Sequence, residues 1–271
     1  MVRISESYSK PHIASDKKFY FRLGSISQPM DYYLVKKLFE SNAELENKLE
    51  KEIHQRIKKS WRKNLDEMYI QFIACPYELF KSIVTLGGKT EIQSLTSFVI
   101  NNFDDVSGEG HLTQIGYTFE KSYDTNESKR FFAIERFGLL EYGTSIKFKK
   151  SQFFNEDNQF GIYYERIKNL VLQFTNAMIH IYKTYQYVGK VRFLLFLDNI
   201  EGIYLLQQLG GFNNRKVNAP MLEIGRDIHT EDLKNNPKAF MNYILLIFLQ
   251  SFGVEIFNVE LTGDRSHLFF A

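Results

Sequence analysis

The spacing of apolar and polar positions changes several times along this chain, and each change marks an element. Residues 17 to 23, "KKFYFRL", form a short aromatic run closed by Gly24-Ser25, which predicts a strand ending in a turn. Pro29 is expected to open a helix. From Asp31 the apolar residues Leu34, Leu38, Leu45, Leu49, Ile53, Ile57, Trp61 and Leu65 recur mainly every fourth position, so one long helical arm is predicted to about residue 66, broken near Ser41-Asn42. Met68 to Ala74 predicts a strand, Tyr77 to Val84 a short helix after Pro76, and Gly87-Gly88 its stop. Leu112 to Glu120 and Arg130 to Glu135 predict two strands across the turn-rich "SYDTNES", with the sheet continuing through Phe137 to Tyr142. Residues 162 to 187 carry Ile167, Leu170, Val171, Phe174, Met178, Ile181 and Tyr185 on one stripe, the pattern of an amphipathic helix. The nearly unbroken apolar run from Val191, "VRFLLFLD", predicts a strand covered on both faces. A short strand at Met221 to Ile224, a second apolar helix from Lys238 to Phe252 and a closing strand or tail from Val254 to Leu261 complete the pattern.

These elements add up to an α+β (mixed α/β) fold: a mixed sheet packed by two long apolar helices, with an N-terminal strand and helical arm. The expected division is 1–66 for the arm and 67–271 for the main domain. Composition supports a packed core, since 44% of the 271 residues are hydrophobic and 24% charged, ordinary globular usage. Aromatic content is high, at 15%. Most rings fall on strands and helix stripes (Phe131, Phe132, Phe174, Phe193, Phe196, Phe248), which assigns them to the core before any stacking role. A net charge of +2 gives no global field toward nucleic acid or an anionic membrane, so any basic site is local. With a single cysteine, Cys75, the chain can form no internal disulfide and no multi-cysteine zinc site, and a reducing, cytoplasmic setting is expected. The longest apolar run, Tyr243 to Leu249, is far short of the roughly 20 residues a membrane helix needs, so no membrane partner is expected.

Motifs for catalysis are weak. "LGGKT" at Leu86 to Thr90 fails as a phosphate-binding loop because the first glycine would fall at Ile83. The six histidines lie in separate segments without ligand spacing, so neither a metal nor a cofactor is expected. Asp198, Glu201, Glu223 and Asp227 flank two strands and offer a low-ranked metal-dependent hydrolase reading, against the ordinary role of carboxylates as polar strand exits. A better candidate is the basic end of the arm. Arg56, Lys59, Arg62 and Lys63 project opposite the Ile53, Ile57, Trp61 stripe, where four cations could meet phosphates, although the same order of acids before bases also complements the helix dipole and makes pairs such as Glu52 with Arg56.

The opening segment, with Lys10-Pro11-His12, then Phe19-Tyr20-Phe21-Arg22-Leu23-Gly24-Ser25 and Pro29-Met30, resembles the last part of the Schlafen/AlbA-like DNA-binding domain of bacterial proteins. The resemblance covers about 30 residues, with a weaker likeness of element order downstream. It implies a DNA-associated role, with Arg22 as a phosphate contact and Gly24 as the turn, and it carries over no catalytic residue. It also implies that a partner supplies the rest of the domain, or that this is a downstream domain keeping the end of a neighbour. The leading expectation is therefore a non-catalytic intracellular module associated with nucleic acid through Arg22, Arg56, Lys59, Arg62 and Lys63. The alternative is a protein–protein interaction or homo-oligomerisation module that packs the arm on a partner through Leu45, Leu49, Ile53 and Ile57.

Overall fold

A computed structural model describes residues 14–23, 26–59, 67–78, 81–85, 89–103, 106, 110–121, 130–147, 149–150, 160–206 and 217–254. The chain divides into two compact units, Met1–Lys58 and Lys59–Ala271. In the first, β1 (Tyr20–Leu23) and β2 (Ile26–Pro29) form an antiparallel hairpin, followed by α1 (Tyr32–Lys59). Pro29 closes β2 opposite Tyr20 instead of opening the helix. A strand end tolerates the missing N–H, and the helix start is set by Asp31, whose Oδ1 accepts the Leu34 N–H at 2.8 Å. The expected break at Ser41-Asn42 does not occur, because two middling helix formers cost only a few tenths of a kcal/mol, roughly, against 28 residues of continuous ladder.

The second unit is built on β3 (Glu67–Pro76), β4 (Gly110–Leu112), β5 (Gly116–Lys121), β6 (Arg130–Glu135), β7 (Leu140–Lys147), β10 (Lys190–Asp198) and β12 (Met221–His229). They make one seven-stranded sheet in the order β12-β10-β3-β7-β6-β5-β4, antiparallel at every step. Mixed pairing is confined to a small second sheet of β8 (Lys149–Lys150), β9 (Phe160–Tyr163) and β11 (Tyr204–Leu206), where β9 and β11 run parallel. The helices are α2 (Lys89–Asn102), α3 (Tyr164–Thr184), α4 (Thr230–Asn235) and α5 (Pro237–Ser251), so the α+β class stands, with α3 and α5 as the two long apolar helices.

One face of the large sheet and these helices make the core. Phe72 of β3 lies 5.3 Å from Phe174 of α3 and 6.3 Å from Phe193 of β10, and Phe193 meets Phe240 of α5 edge-on at 5.0 Å. Every residue of β3 is buried, and β10 is buried along its middle on both faces, as its unbroken apolar run predicts. Phe131, Phe132, Phe174, Phe193, Phe196 and Phe248 are all core.

Several elements differ from the pattern-based reading. The helix expected at 77–84 is absent at its described residues, because the N–H groups of Ile83 and Val84 both donate to the Arg136 carbonyl and that of Tyr77 to Lys190. A helix instead starts at Lys89, after the glycines that were to be a stop. The strand expected from Leu112 to Glu120 is a hairpin of β4 and β5, turned where the Thr113 hydroxyl and the Gly116 backbone bond each other at 3.0 Å. The short strand at Met221 runs on to His229 as β12. The closing strand expected through Leu261 lies outside the described residues beyond Val254.

Candidate interaction surface

The N-terminal unit is small and locally tied. The Tyr20 hydroxyl donates to Asp16 Oδ2 at 2.6 Å, which holds the Asp16 carboxyl below its ordinary pKa and raises that of Tyr20. Phe19 meets Phe39 of α1 edge-on at 6.1 Å, so the ring before the hairpin is covered by the helix. Beyond that contact the unit exposes apolar side chains. Tyr32 is 82% exposed, Tyr33 70% and Ile26 61%, with Leu34, Phe39 and Tyr20 also open. Six of the thirteen exposed large apolar residues among those described thus fall between residues 20 and 39. Tyr32 and Phe39 are two turns apart and lie on one side of α1. Among the described residues the hairpin has only two strands, so both its outer edges carry unpaired backbone groups.

The basic residues expected to meet phosphates are distributed differently. Arg22 stands opposite Ser27 in the hairpin register. Arg56 is only 15% exposed, and its Nε and Nη2 both reach Glu52 Oε1 at 3.1 Å, so its charge is already answered within the helix. Lys59 is the last residue of α1, and Arg62 and Lys63 lie outside the described residues. Of the stripe offered for a partner helix, Leu49, Ile53 and Ile57 are buried in this chain and Leu45 is half-buried, whereas the large apolar side chains at the first turns of α1 are exposed.

The acidic cluster does not assemble. Asp198 pairs with Met221, Glu223 with Phe196 and Asp227 with Arg192, which spreads Asp198 and Asp227 over six register steps, about 20 Å. Among the described residues no group of three His, Cys, Asp or Glu is placed to hold a metal ion. Asp227 has another task. Its carboxylate takes the Tyr77 hydroxyl at 2.7 Å, Lys190 Nζ at 2.7 Å and Arg192 Nε at 2.8 Å, while Lys190 lies 4.3 Å over the Tyr77 ring. Burial opposes the charge on Lys190, but Asp227 and Tyr77 outweigh it and leave its pKa raised.

A second polar feature was not legible from the sequence. On the sheet face turned away from Phe72 and Phe193, buried Gln71 donates to Glu141 at 2.5 Å, and the Tyr69 hydroxyl lies over Gly143, where only a residue without Cβ leaves room for it beside the Phe131 ring. Among the described residues, Tyr69 Oη, Gln71 Oε1 and Ser145 Oγ find no hydrogen-bond partner. Burial and the nearby Glu141 raise the Tyr69 pKa well above its usual value, so it is a neutral hydroxyl at physiological pH. Cys75, on the same face, is buried, with its Sγ 3.8 Å from the Pro76 carbonyl oxygen.

Comparison with sequence families, curated proteins and solved structures finds no match to this chain. No helix among the described residues is long and apolar enough to cross a membrane.

Proposed function

We propose that this protein is a non-catalytic binding module of a larger assembly, in which the hairpin and first turns of α1 seat an extended apolar segment of a partner polypeptide. The observation that carries this reading is the concentration of exposed rings and aliphatic groups on Ile26, Tyr32, Tyr33, Leu34 and Phe39, beside a two-stranded hairpin whose outer edges are unpaired among the described residues. A partner strand can add to such an edge through main-chain hydrogen bonds and place alternate side chains on the aromatic surface. The resemblance to the end of a Schlafen/AlbA-like domain falls on the same region of the chain.

A second reading, association with nucleic acid, rests on that resemblance and on Arg22 standing in the hairpin strand that precedes the turn. Exposed tyrosines can stack bases as well as cover a peptide. One experiment separates the two. A photo-crosslinking phenylalanine analogue placed at Tyr33 in the producing cells is expected to give a discrete adduct that resists nuclease and is digested by protease. The same probe at exposed Glu231 serves as control. A nuclease-sensitive adduct at position 33 would transfer the site to the second reading, and no adduct beyond the control level would remove both.

A further inference from the structure

The loop that joins α3 to β10 is tied to the start of α4, and a cavity of about 240 Å³ opens between the end of α3 and that helix. Its inner wall is apolar. Met178, Tyr182, Tyr187 and Leu233 are buried there, and both hydroxyls are committed to backbone: Tyr182 Oη donates to the Gly138 carbonyl and Tyr187 Oη to the Lys190 carbonyl, each at 3.1 Å. Buried Thr230 fixes the frame, because its Oγ1 accepts the Gly189 N–H at 3.1 Å and donates to the Tyr187 carbonyl at 3.3 Å. The rim is positive. Lys183 of the last turn of α3 and Lys234 of the last turn of α4 stand exposed against one acid, Glu231, and among the described residues none of the three enters an ion pair.

A strained residue sits on the same rim. Gln186 has φ 51°, in the left-handed region, where it ends α3: the Tyr187 N–H reaches back to the Tyr182 carbonyl at 2.9 Å and the Gln186 N–H to the Lys183 carbonyl at 3.2 Å. Glycine takes this place without strain, and a side chain there costs stability. The exposed Gln186 side chain lines the cavity and makes no hydrogen bond among the described residues, so nothing within the chain offsets that cost. We propose that this cavity binds a small carboxylic acid with an aromatic body, its carboxylate met by Lys183, Lys234 and the Gln186 amide. Size sets the body: an apolar cavity of about 150 Å³ holds a benzene ring, so 240 Å³ admits the ring and a short acid tail. Charge sets the head, since two unpaired ammonium groups against one carboxylate favour an anion over a neutral or cationic group. This site shares no residue with the hairpin and α1, so either proposal can fail without the other.

The test is a titration of the whole protein, carrying methyl-labelled methionine, with phenylacetate, because Met178 lines the inner wall. A saturable shift of the Met178 methyl resonance is expected, with a Kd of about 1 mM or tighter for a ligand of roughly ten non-hydrogen atoms. Phenylacetamide, the neutral isostere, should bind about fivefold more weakly, and Lys183→Gln with Lys234→Gln, both exposed, should bring phenylacetate down to the same level. Glu231→Gln removes the repelling charge and should tighten binding about twofold. Gln186→Gly should weaken binding about threefold without lowering the melting temperature, a combination that a purely structural residue would not give. A Met178 resonance unmoved at roughly 10 mM phenylacetate overturns the proposal. So does an amide bound as tightly as the acid, a double lysine variant that binds the acid undiminished, or Gln186→Gly with the parent's affinity.

Discussion

Glycines on the large sheet show how much a single side chain decides here. A Cβ at Gly116 would run into the Ile134 carbonyl and the Glu135 Cα, which are backbone atoms of the paired strand β6 and cannot rotate aside. At Gly225, on the edge strand, the nearest atoms are Leu194 Cδ1 at 3.6 Å and the Phe193 carbonyl oxygen at 3.8 Å, ordinary contacts. Gly116→Ala should therefore force β5 away from β6 and cost about 1 to 3 kcal/mol, whereas Gly225→Ala should change stability by less than about 0.5 kcal/mol. Urea unfolding of the two variants checks this, and equal midpoints would show that β5 yields without strain. The same comparison explains why glycine positions were uninformative before the structure: each follows an isoleucine in a stretch of mixed polarity, and only the partner strand distinguishes them.

At the level of elements, α2 and α3 meet where Phe98 stacks flat on His180, centroids 4.0 Å apart with the rings within 5° of parallel. Burial of the imidazole, helped by Lys183, lowers the His180 pKa below its ordinary value of 6.5. A lowered folded-state pKa means that the unfolded chain takes up the proton first as pH falls, so this residue's contribution is complete above about 6.5 and drains away as pH drops through its folded value. Replacing His180 with Phe keeps a stacked ring and removes the titration, so between pH 7 and 5 the variant should lose less stability than the parent. Parallel slopes in thermal unfolding across that range would sink the assignment. The seam also marks where sequence reading stops. Strands β6 and β10 and helix α3 were legible because their apolar periods are long and strong. Helix α2 was not, since Ile92, Leu95 and Val99 are separated by Thr, Ser and Gln, and the preceding Gly87-Gly88 reads as an end. Strand β12 looked four residues long because an edge strand is half solvated, and Gly225, Arg226 and Asp227 break its apolar alternation. The segment after Pro76 has helix-start chemistry, yet its amides are claimed by Arg136 and Lys190, residues remote in sequence. The site was less legible still. Its basic arm and the i,i+4 pair of Glu52 with Arg56 were visible, but the apolar period of α1 gives no sign that Tyr32, Tyr33 and Phe39 at its start stand open.

For the whole molecule, the contrast that matters is between a seven-stranded sheet with a continuous core and a hairpin of two four-residue strands. Strand β3 has a paired strand on each side along most of its length and no exposed residue, so its amides open only with global unfolding. The hairpin has no third strand among the described residues, and two-stranded pairs are marginal in water. Amide hydrogen exchange on the isolated protein should therefore rank β3 and β10 slowest, with protection of about 10⁴ or more, and residues 20 to 29 close to unprotected. If the hairpin is where a partner strand adds, its amides should gain protection when the partner is present while β3 is unchanged. That order has a functional consequence: ordering a loose hairpin on docking costs free energy that the aromatic contacts must offset, which favours reversible over permanent attachment. Finding the hairpin as protected as β3 in the isolated chain would mean that it is already completed from within, and the docking surface would then reduce to the exposed rings of α1 alone.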